Sequence, residues 1–261
     1  MIQLISAEFL KLKYPPIYWL IFFVIAMMTG IIFMAHYFDI NGVATLNTNP
    51  WNKLSSASIA ILSIFLAAPF LVLLISAAVF VEHHSNIWKQ QYATPSHRST
   101  VFYSKLISIV LLILFTFLMI IVSITLSGYL LDFIYPEIEF RYHNPPFGKW
   151  IIRTIQMMIS LLGIIGIQYF LSLRFKGFLI PASIGVVFFV VGIIFGSINN
   201  QMAAYFPYSF PVIGREHEMF NRDNIDIIDY GFINSIEIHS IVCFLIFIVM
   251  ANVLEVRRKV D

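Results

Sequence analysis

The sequence predicts an all-α integral membrane protein with six transmembrane helices. Of its 261 residues, 59% are hydrophobic and only 11% are charged, whereas an ordinary soluble domain has about 25% charged residues. The apolar residues gather in six runs without Asp, Glu, Lys or Arg, and a helix of about 20 such residues crosses the hydrocarbon core of a bilayer. The predicted spans are residues 17–35, 57–81, 106–131, 154–173, 177–198 and 238–254. We expect residues 1–261 to form a single transmembrane domain.

The N-terminal segment, residues 1–16, predicts an amphipathic helix on the membrane surface, followed by a hinge. At 100° per residue, its apolar side chains share one narrow arc of the helix, and its lysines lie opposite that arc or at its border. Pro15 and Pro16 cannot continue this helix, so we expect the chain to turn there and enter the membrane. The residues that define the interfacial helix are Ile2, Ile5, Phe9, Lys11, Leu12 and Lys13.

Prolines and glycines in the spans predict where helices bend and where they approach each other. Pro69 lies midway through the second span and predicts a kink. Pro181 lies in the first turn of the fifth span, where its missing N–H is harmless. Small residues allow close helix packing in membranes. Those of the fourth and fifth spans are Gly163, Gly166, Gly185, Gly192 and Gly196.

The distribution of basic residues predicts that both termini face the cytoplasm. Six spans place both termini on one side of the membrane, and Lys and Arg accumulate in cytoplasmic loops. On the side of the termini lie ten of the 16 basic residues, within residues 1–16, 82–105, 174–176 and 255–261. The net charge of +2 therefore reflects membrane orientation, and no basic tract indicates a nucleic-acid partner.

The cytoplasmic loop of residues 82–105 is the most informative connection. Residues 86–92 predict a short amphipathic helix, which Pro95 ends. Trp88 and Tyr92 are four residues apart, so they would form a compact aromatic patch together with the neighbouring isoleucine. Such a patch is typical of contact with a partner protein or with lipid, and an aromatic anchor at the membrane interface is the alternative.

Motifs for ATP hydrolysis, ion coupling and metal catalysis are not found. The Gly148-Lys149 pair lacks the rest of a P-loop. An ion-coupled carrier needs ionisable residues near the middle of its spans, and these spans have none there. The sequences at residues 82–84 and 215–218 lack the ligand spacing of a zinc site. We therefore expect no catalytic residue, bound metal or cofactor in this chain.

These features resemble the permease subunits of type-2 ABC exporters, including those of the bacteriocin (lantibiotic) immunity type. The resemblance covers the architecture of the whole chain, and four features carry it. They are the amphipathic start with Glu8 and residues 11–13, Glu82 at the close of the second span, the aromatic loop with Thr-Pro-Ser-His-Arg at residues 94–98, and Lys105 at the opening of the third span.

The resemblance implies a half-transporter that works with other chains in a bacterial plasma membrane. A coupling helix at residues 83–92 would dock into a groove of a cytoplasmic ATP-binding subunit, which would hold ATP and Mg²⁺. A second permease chain, identical or homologous, would complete the pathway, with membrane lipids around it. Extracellular interfacial or re-entrant segments would lie between the fifth and sixth spans, in residues 199–237, where the aromatic density of residues 205–211 suits a cap that faces the membrane. The coupling residues would be Glu82, His84, Ile87, Trp88, Lys89, Tyr92, Pro95, Arg98 and Lys105.

Several functions fit these observations. The apolar walls of the spans suit export of an amphipathic or hydrophobic cargo, such as a peptide, a bacteriocin or a lipid-like molecule. A membrane scaffold or assembly protein without transport activity would use the same loop to recruit a partner. An ion-coupled carrier is disfavoured because the spans lack ionisable residues at mid-membrane. A membrane enzyme would have to assemble its site from residues of separate outer loops.

Overall fold

Long apolar helices account for most of the described chain. The computed structural model describes residues 7–8, 15–38, 49–84, 98–198, 200–213 and 235–257, and no strand occurs in these ranges. The helices are α1 (Pro15–Phe38), α2 (Pro50–Ile61), α3 (Ala67–His84), α4 (Arg98–Ile134), α5 (Phe147–Arg174), α6 (Leu179–Ile198), α7 (Asn200–Ala203) and α8 (Ser235–Arg257).

Five of the described helices, α1, α4, α5, α6 and α8, are long and apolar enough to cross a membrane. They correspond to five of the six predicted spans. Helix α4 has 37 residues, more than the predicted span 106–131, because a helix continues through the polar residues that flank its apolar run. Arg98 and Lys105 therefore lie within α4. This corrects the prediction that the connecting loop extends to Lys105.

The predicted second span, residues 57–81, is helical but interrupted. Helix α2 passes into a π-helical turn, Leu62–Leu66, and then into α3. At the end of this turn the N–H of Ala67 donates to the carbonyl of Leu62, five residues back. Pro69 lies in the first turn of α3, three residues after the π-helical turn ends. Proline removes a helical N–H and crowds the carbonyl four residues before it. The irregularity predicted from Pro69 thus lies about one turn before the proline.

Helix α5 lies at the centre of the bundle. Helix α8 packs along it, α3 packs against it and against α6, and α1 packs on α4. Small residues bring α5 and α8 together, as the sequence predicts. A Cβ atom at Gly166 would lie 3.0 Å from the Cα atom of Phe244, so the two helix backbones are nearly in contact.

The start of α2, the end of α4 and the start of α5 meet around Trp51. Its indole Nε1 donates to the carbonyl of Phe140 at 3.0 Å and to that of His143 at 2.9 Å. Its ring packs edge-on against Phe140, with Trp150 of α5 also in contact. Asn49 caps α2, because its side chain accepts from the Trp51 N–H at 3.0 Å. The connection between α4 and α5 is thereby fixed to the start of α2.

Polar contacts also stabilise the connection between α4 and α5. The Arg141 Nε donates to the Asp132 carboxylate at 2.8 Å, and Asp132 is buried. Glu139 has a φ of 59°, a left-handed conformation that reverses the chain between two short 3₁₀ turns. A hydrogen bond with Tyr37 of α1 is the main cause that raises the pKa of the Tyr135 phenol above its ordinary value. The C-terminal end of α1 is thus joined to this connection as well.

The chain after α7 returns into the bundle as residues 204–213, here named the returning segment. Tyr208 and Phe210 are each only 1% exposed, although the aromatic density of this region predicted a cap that faces the membrane. Tyr205, at 76% exposure, is the one aromatic residue of the segment that fits that expectation. The burial of both side chains corrects the prediction, because Tyr208 packs between α5 and α6, and Phe210 packs with Phe195 of α6, Ala203 of α7 and Ile236 of α8.

Glycines of two helices make room for the returning segment. A Cβ at Gly192 would lie 2.5 Å from the carbonyl oxygen of Tyr208, and one at Gly163 would lie 3.0 Å from Pro207. Gly163 lies at the middle of the predicted span 154–173, so Pro207 reaches half the depth of α5. Gly192 lies six residues, or about 9 Å, before the end of α6.

Candidate functional site

The described part of the predicted coupling site consists of the helix ends on both sides of the loop. Glu82 and His84 lie in the last turn of α3, Arg98 opens α4, and Lys105 lies two turns into that helix. The other predicted coupling residues lie outside the described residues, as do all six residues named for the interfacial helix. They are Ile87, Trp88, Lys89, Tyr92 and Pro95, and Ile2, Ile5, Phe9, Lys11, Leu12 and Lys13. Glu8, which contributed to the resemblance, is described and buried.

Contacts with two helices, α5 and α8, fix the start of α4, where the loop ends. The Arg98 Nη1 donates to the carbonyl of Val256 near the end of α8 at 3.1 Å. The Tyr169 hydroxyl of α5 donates to the carbonyl of Phe102 at 3.2 Å, and the two rings are 5.3 Å apart. Force applied through the loop would therefore reach α5 and α8 as well as α4.

The end of α3, where the loop begins, is in contact with the turn between α5 and α6. The rings of Phe80 and Phe178 lie 6.1 Å apart in an edge-on arrangement. This contact is hydrophobic, whereas those at the start of α4 include hydrogen bonds. The two ends of the loop thus have different supports.

A buried hydrogen-bond cluster around Gln168 joins four parts of the bundle. The Gln168 amide nitrogen donates to the Ser76 hydroxyl of α3 at 2.8 Å and to the Pro181 carbonyl of α6 at 2.9 Å. Its amide oxygen accepts from the Tyr208 hydroxyl of the returning segment at 3.2 Å. Gln168 and Ser76 are at most 1% exposed. We name Gln168, Ser76, Pro181 and Tyr208 the Gln168 cluster.

Sequence reasoning missed this cluster because it searched the spans for ionisable residues. A glutamine is uncharged, so Gln168 lies inside a run that otherwise reads as a plain apolar helix. The available signal was an amide group within a membrane span, since such a group needs hydrogen-bond partners from neighbouring helices. Gly185 adds to that signal, because its missing side chain leaves the space that the Gln168 amide occupies.

A second polar contact joins α5 and α8. The Ser240 hydroxyl donates to the carbonyl of Ser160 at 2.8 Å and accepts from the Gly163 N–H at 2.8 Å. Ser240 is completely buried. Within the described ranges, no three His, Cys, Asp or Glu side chains come close enough together to hold a metal ion. Ser240 and the Gln168 cluster therefore join helices through buried polar groups.

A comparison with protein families identifies the class of the chain. The family model described as ABC-2 family transporter protein matches residues 4–192, which is more than two thirds of the sequence. The chain belongs to this family. Comparisons with curated proteins and with solved structures gave no match.

Membership of the ABC-2 family gives the chain its general role. It is a multi-pass membrane protein and a transmembrane subunit of an ABC transporter. Such a permease is not itself an ATPase, and it associates with an ATP-binding subunit. The family match covers α1 to the greater part of α6, whereas the returning segment and α8 lie beyond it.

Proposed function

We propose that this ABC-2 permease is one half of an exporter for amphipathic or hydrophobic molecules, such as peptides, bacteriocins or lipid-like compounds. Two permease chains, identical or homologous, form the pathway, and two ATP-binding subunits bind ATP and Mg²⁺ on the cytoplasmic side. The family match, together with the anchoring of both ends of the loop at residues 85–97, supports this proposal. Relationship to the bacteriocin immunity permeases is part of the same proposal.

The proposed topology has six crossings, with both termini in the cytoplasm of a bacterial cell. Helices α2 and α3 together make the additional crossing, because the π-helical turn Leu62–Leu66 joins them without a break in the helical chain. Residues 67–81 form a shorter apolar helix by themselves. The whole chain forms a single permease domain, and the N-terminal residues 1–13 lie along the inner membrane surface.

The proposed mechanism starts at the loop between α3 and α4. Trp88 and Tyr92 bind a groove of the ATP-binding subunit, so that closure of this subunit on ATP displaces the loop. Arg98 transmits the displacement to the end of α8 through its hydrogen bond with the Val256 carbonyl. Phe102, which accepts from Tyr169, transmits it to α5. The apolar spans suit a cargo that partitions into membranes.

Replacement of Trp88 by alanine is expected to reduce ATP-driven transport at least several-fold without loss of the folded permease. An aromatic anchor at an interface commonly contributes more than 1 kcal/mol to binding. Transport is measured in inside-out vesicles that contain the permease and its ATP-binding subunit. The probes are a fluorescent cationic amphipathic peptide and a short-chain fluorescent phospholipid. An exporter accumulates one of them in the vesicle lumen on addition of ATP.

The matched control is Trp19→Ala, because Trp19 lies on α1 with 68% of its surface exposed. This variant should transport as the unmodified protein does. Equal transport by Trp88→Ala at equal membrane levels would contradict the coupling role of the loop. Absence of ATP-driven movement of both probes, with the ATP-binding subunit present, would contradict the proposed cargo class.

A further inference from the structure

The Gln168 cluster lies where three helices and the returning segment converge. Gln168 is six residues, about 9 Å, from the end of α5 at Arg174, and Ser76 is eight residues, about 12 Å, from the end of α3 at His84. Pro181 lies in the first turn of α6. The cluster is therefore in the half of the bundle nearer to the loop at residues 85–97.

Both donor hydrogens of the Gln168 amide are used, and its oxygen accepts the hydroxyl of Tyr208. A buried amide that loses one of these partners cannot turn to water, so each lost bond leaves a buried polar group unpaired and weakens this arrangement. Gly185 leaves the space that this arrangement needs, because a Cβ there would lie 2.6 Å from the Gln168 amide oxygen. The amide thus fits one arrangement of α3, α6 and the returning segment.

We propose that Gln168 is a conformational latch: it holds the returning segment inside the bundle, and a displacement of α3 relative to α5 releases it. Helix α3 continues directly into the loop at residues 85–97, so movement of that loop acts on the Ser76 hydrogen bond. Loss of this bond frees the amide, and Tyr208 then withdraws with the returning segment toward α7. The role of this release in transport rests on the proposed function, whereas the latch itself is a property of the fold.

The chain contains its own reporter of this release. Cys243 on α8 is the single cysteine of the sequence and is partly buried. Helix α8 contacts the turn at Pro207–Ser209, and the Cys243 side chain packs against the buried core that includes Tyr208. Withdrawal of Tyr208 would remove this neighbour and admit water and small reagents to the thiol. The reaction rate of Cys243 therefore reports whether the returning segment is in place.

The test measures the rate at which N-ethylmaleimide modifies Cys243 in the full chain, purified and placed in lipid nanodiscs. A hydrogen bond between membrane helices changes a conformational equilibrium by about threefold to tenfold. Tyr208→Phe, which removes one hydrogen bond, should accelerate modification about threefold. Gln168→Leu, which removes three, should accelerate it about tenfold or more. The double variant should react at the same rate as Gln168→Leu alone, because in Gln168→Leu the Tyr208 hydroxyl has already lost its acceptor.

The matched control is Gln156→Leu, the same substitution on the same helix. Gln156 is only partly buried and makes no hydrogen bond with the described residues, so its replacement should leave the rate unchanged. Rates in Tyr208→Phe and Gln168→Leu that equal that of the unmodified chain would overturn the latch. Equal acceleration by Gln156→Leu would overturn it as well.

Folding and function are separated by two further measurements. If Gln168→Leu does not give a monodisperse protein, the milder Tyr208→Phe variant decides, and an unchanged rate in it overturns the proposal. The same labelling is repeated in the complex with its ATP-binding subunit, with and without a non-hydrolysable ATP analogue. Nucleotide-dependent labelling supports a role of the latch in the transport cycle. If the variants change the rate but the ATP analogue does not, the latch itself is supported. Only its link to the proposed function is then contradicted.

Discussion

Gly192→Ala is expected to displace the returning segment and to lower the stability of the whole permease. A Cβ at this position would lie 2.5 Å from the carbonyl oxygen and 2.6 Å from the carbonyl carbon of Tyr208. Both atoms belong to the backbone, so no side-chain rotation relieves the overlap. Overpacking of this kind costs about 1–3 kcal/mol, and we expect an apparent melting temperature about 5 °C lower in detergent.

The control for this prediction is Gly30→Ala on α1, where a Cβ would meet nothing within 4 Å. Alanine is favoured over glycine in a helix by about 1 kcal/mol, so Gly30→Ala should keep or raise the melting temperature. Fluorescence-detected size-exclusion chromatography after heating measures both variants. Equal melting temperatures for Gly192→Ala and the unmodified chain would mean that residues 204–213 do not pack against α6 as described.

Trp51→Ala is expected to cause the largest loss of stability among substitutions at the end of the bundle where α2 begins. Trp51 is completely buried, and its ring lies 4.8 Å from that of Phe140 and 5.3 Å from that of Tyr129. Truncation of a buried tryptophan costs about 3–5 kcal/mol. It also leaves the carbonyls of Phe140 and His143 without their indole donor. We expect little folded protein to survive extraction from the membrane.

Trp51→Phe separates the hydrogen bonds of this residue from its packing. This variant keeps an aromatic ring but has no N–H, so it should lose about 1–3 kcal/mol and remain purifiable. Trp19→Ala again serves as the exposed control and should change the melting temperature little. A yield of folded Trp51→Ala equal to that of Trp19→Ala would contradict the role of Trp51 as the anchor of the α4–α5 connection.

The helices that cross the membrane could be predicted from the sequence, because the hydrocarbon core excludes charged side chains and unpaired backbone groups. The ends of these helices could not be predicted in the same way. Helix α4 begins at Arg98, because water rather than hydrocarbon surrounds that end and charged residues are tolerated in a solvated helix. The start of α2 carries a local signal, since Asn49 and Pro50 form a typical N-cap and first helical position.

Contacts between distant parts of the chain could not be predicted from local patterns. Gln168 and Tyr208 are 40 residues apart, and their hydrogen bond depends on how α5, α6 and the returning segment pack together. The aromatic residues near Tyr208 fit either a lipid-facing cap or a buried segment, because both environments favour large apolar side chains. The sequence places Arg98 after the predicted coupling loop, but its hydrogen bond with Val256 depends on the tertiary fold.

Gentle extraction of the tagged chain from its native membrane tests the central claim most directly. The co-purifying proteins are identified, their amounts relative to the permease are measured, and ATPase rates are determined in nanodiscs. We predict that an ATP-binding subunit is recovered in an amount equal to that of the permease. Simultaneous replacement of Trp88 and Tyr92 by alanine should abolish this recovery, whereas Trp19→Ala should not. A chain that purifies alone and shows no nucleotide-dependent behaviour would contradict the assignment and favour a membrane scaffold or a carrier.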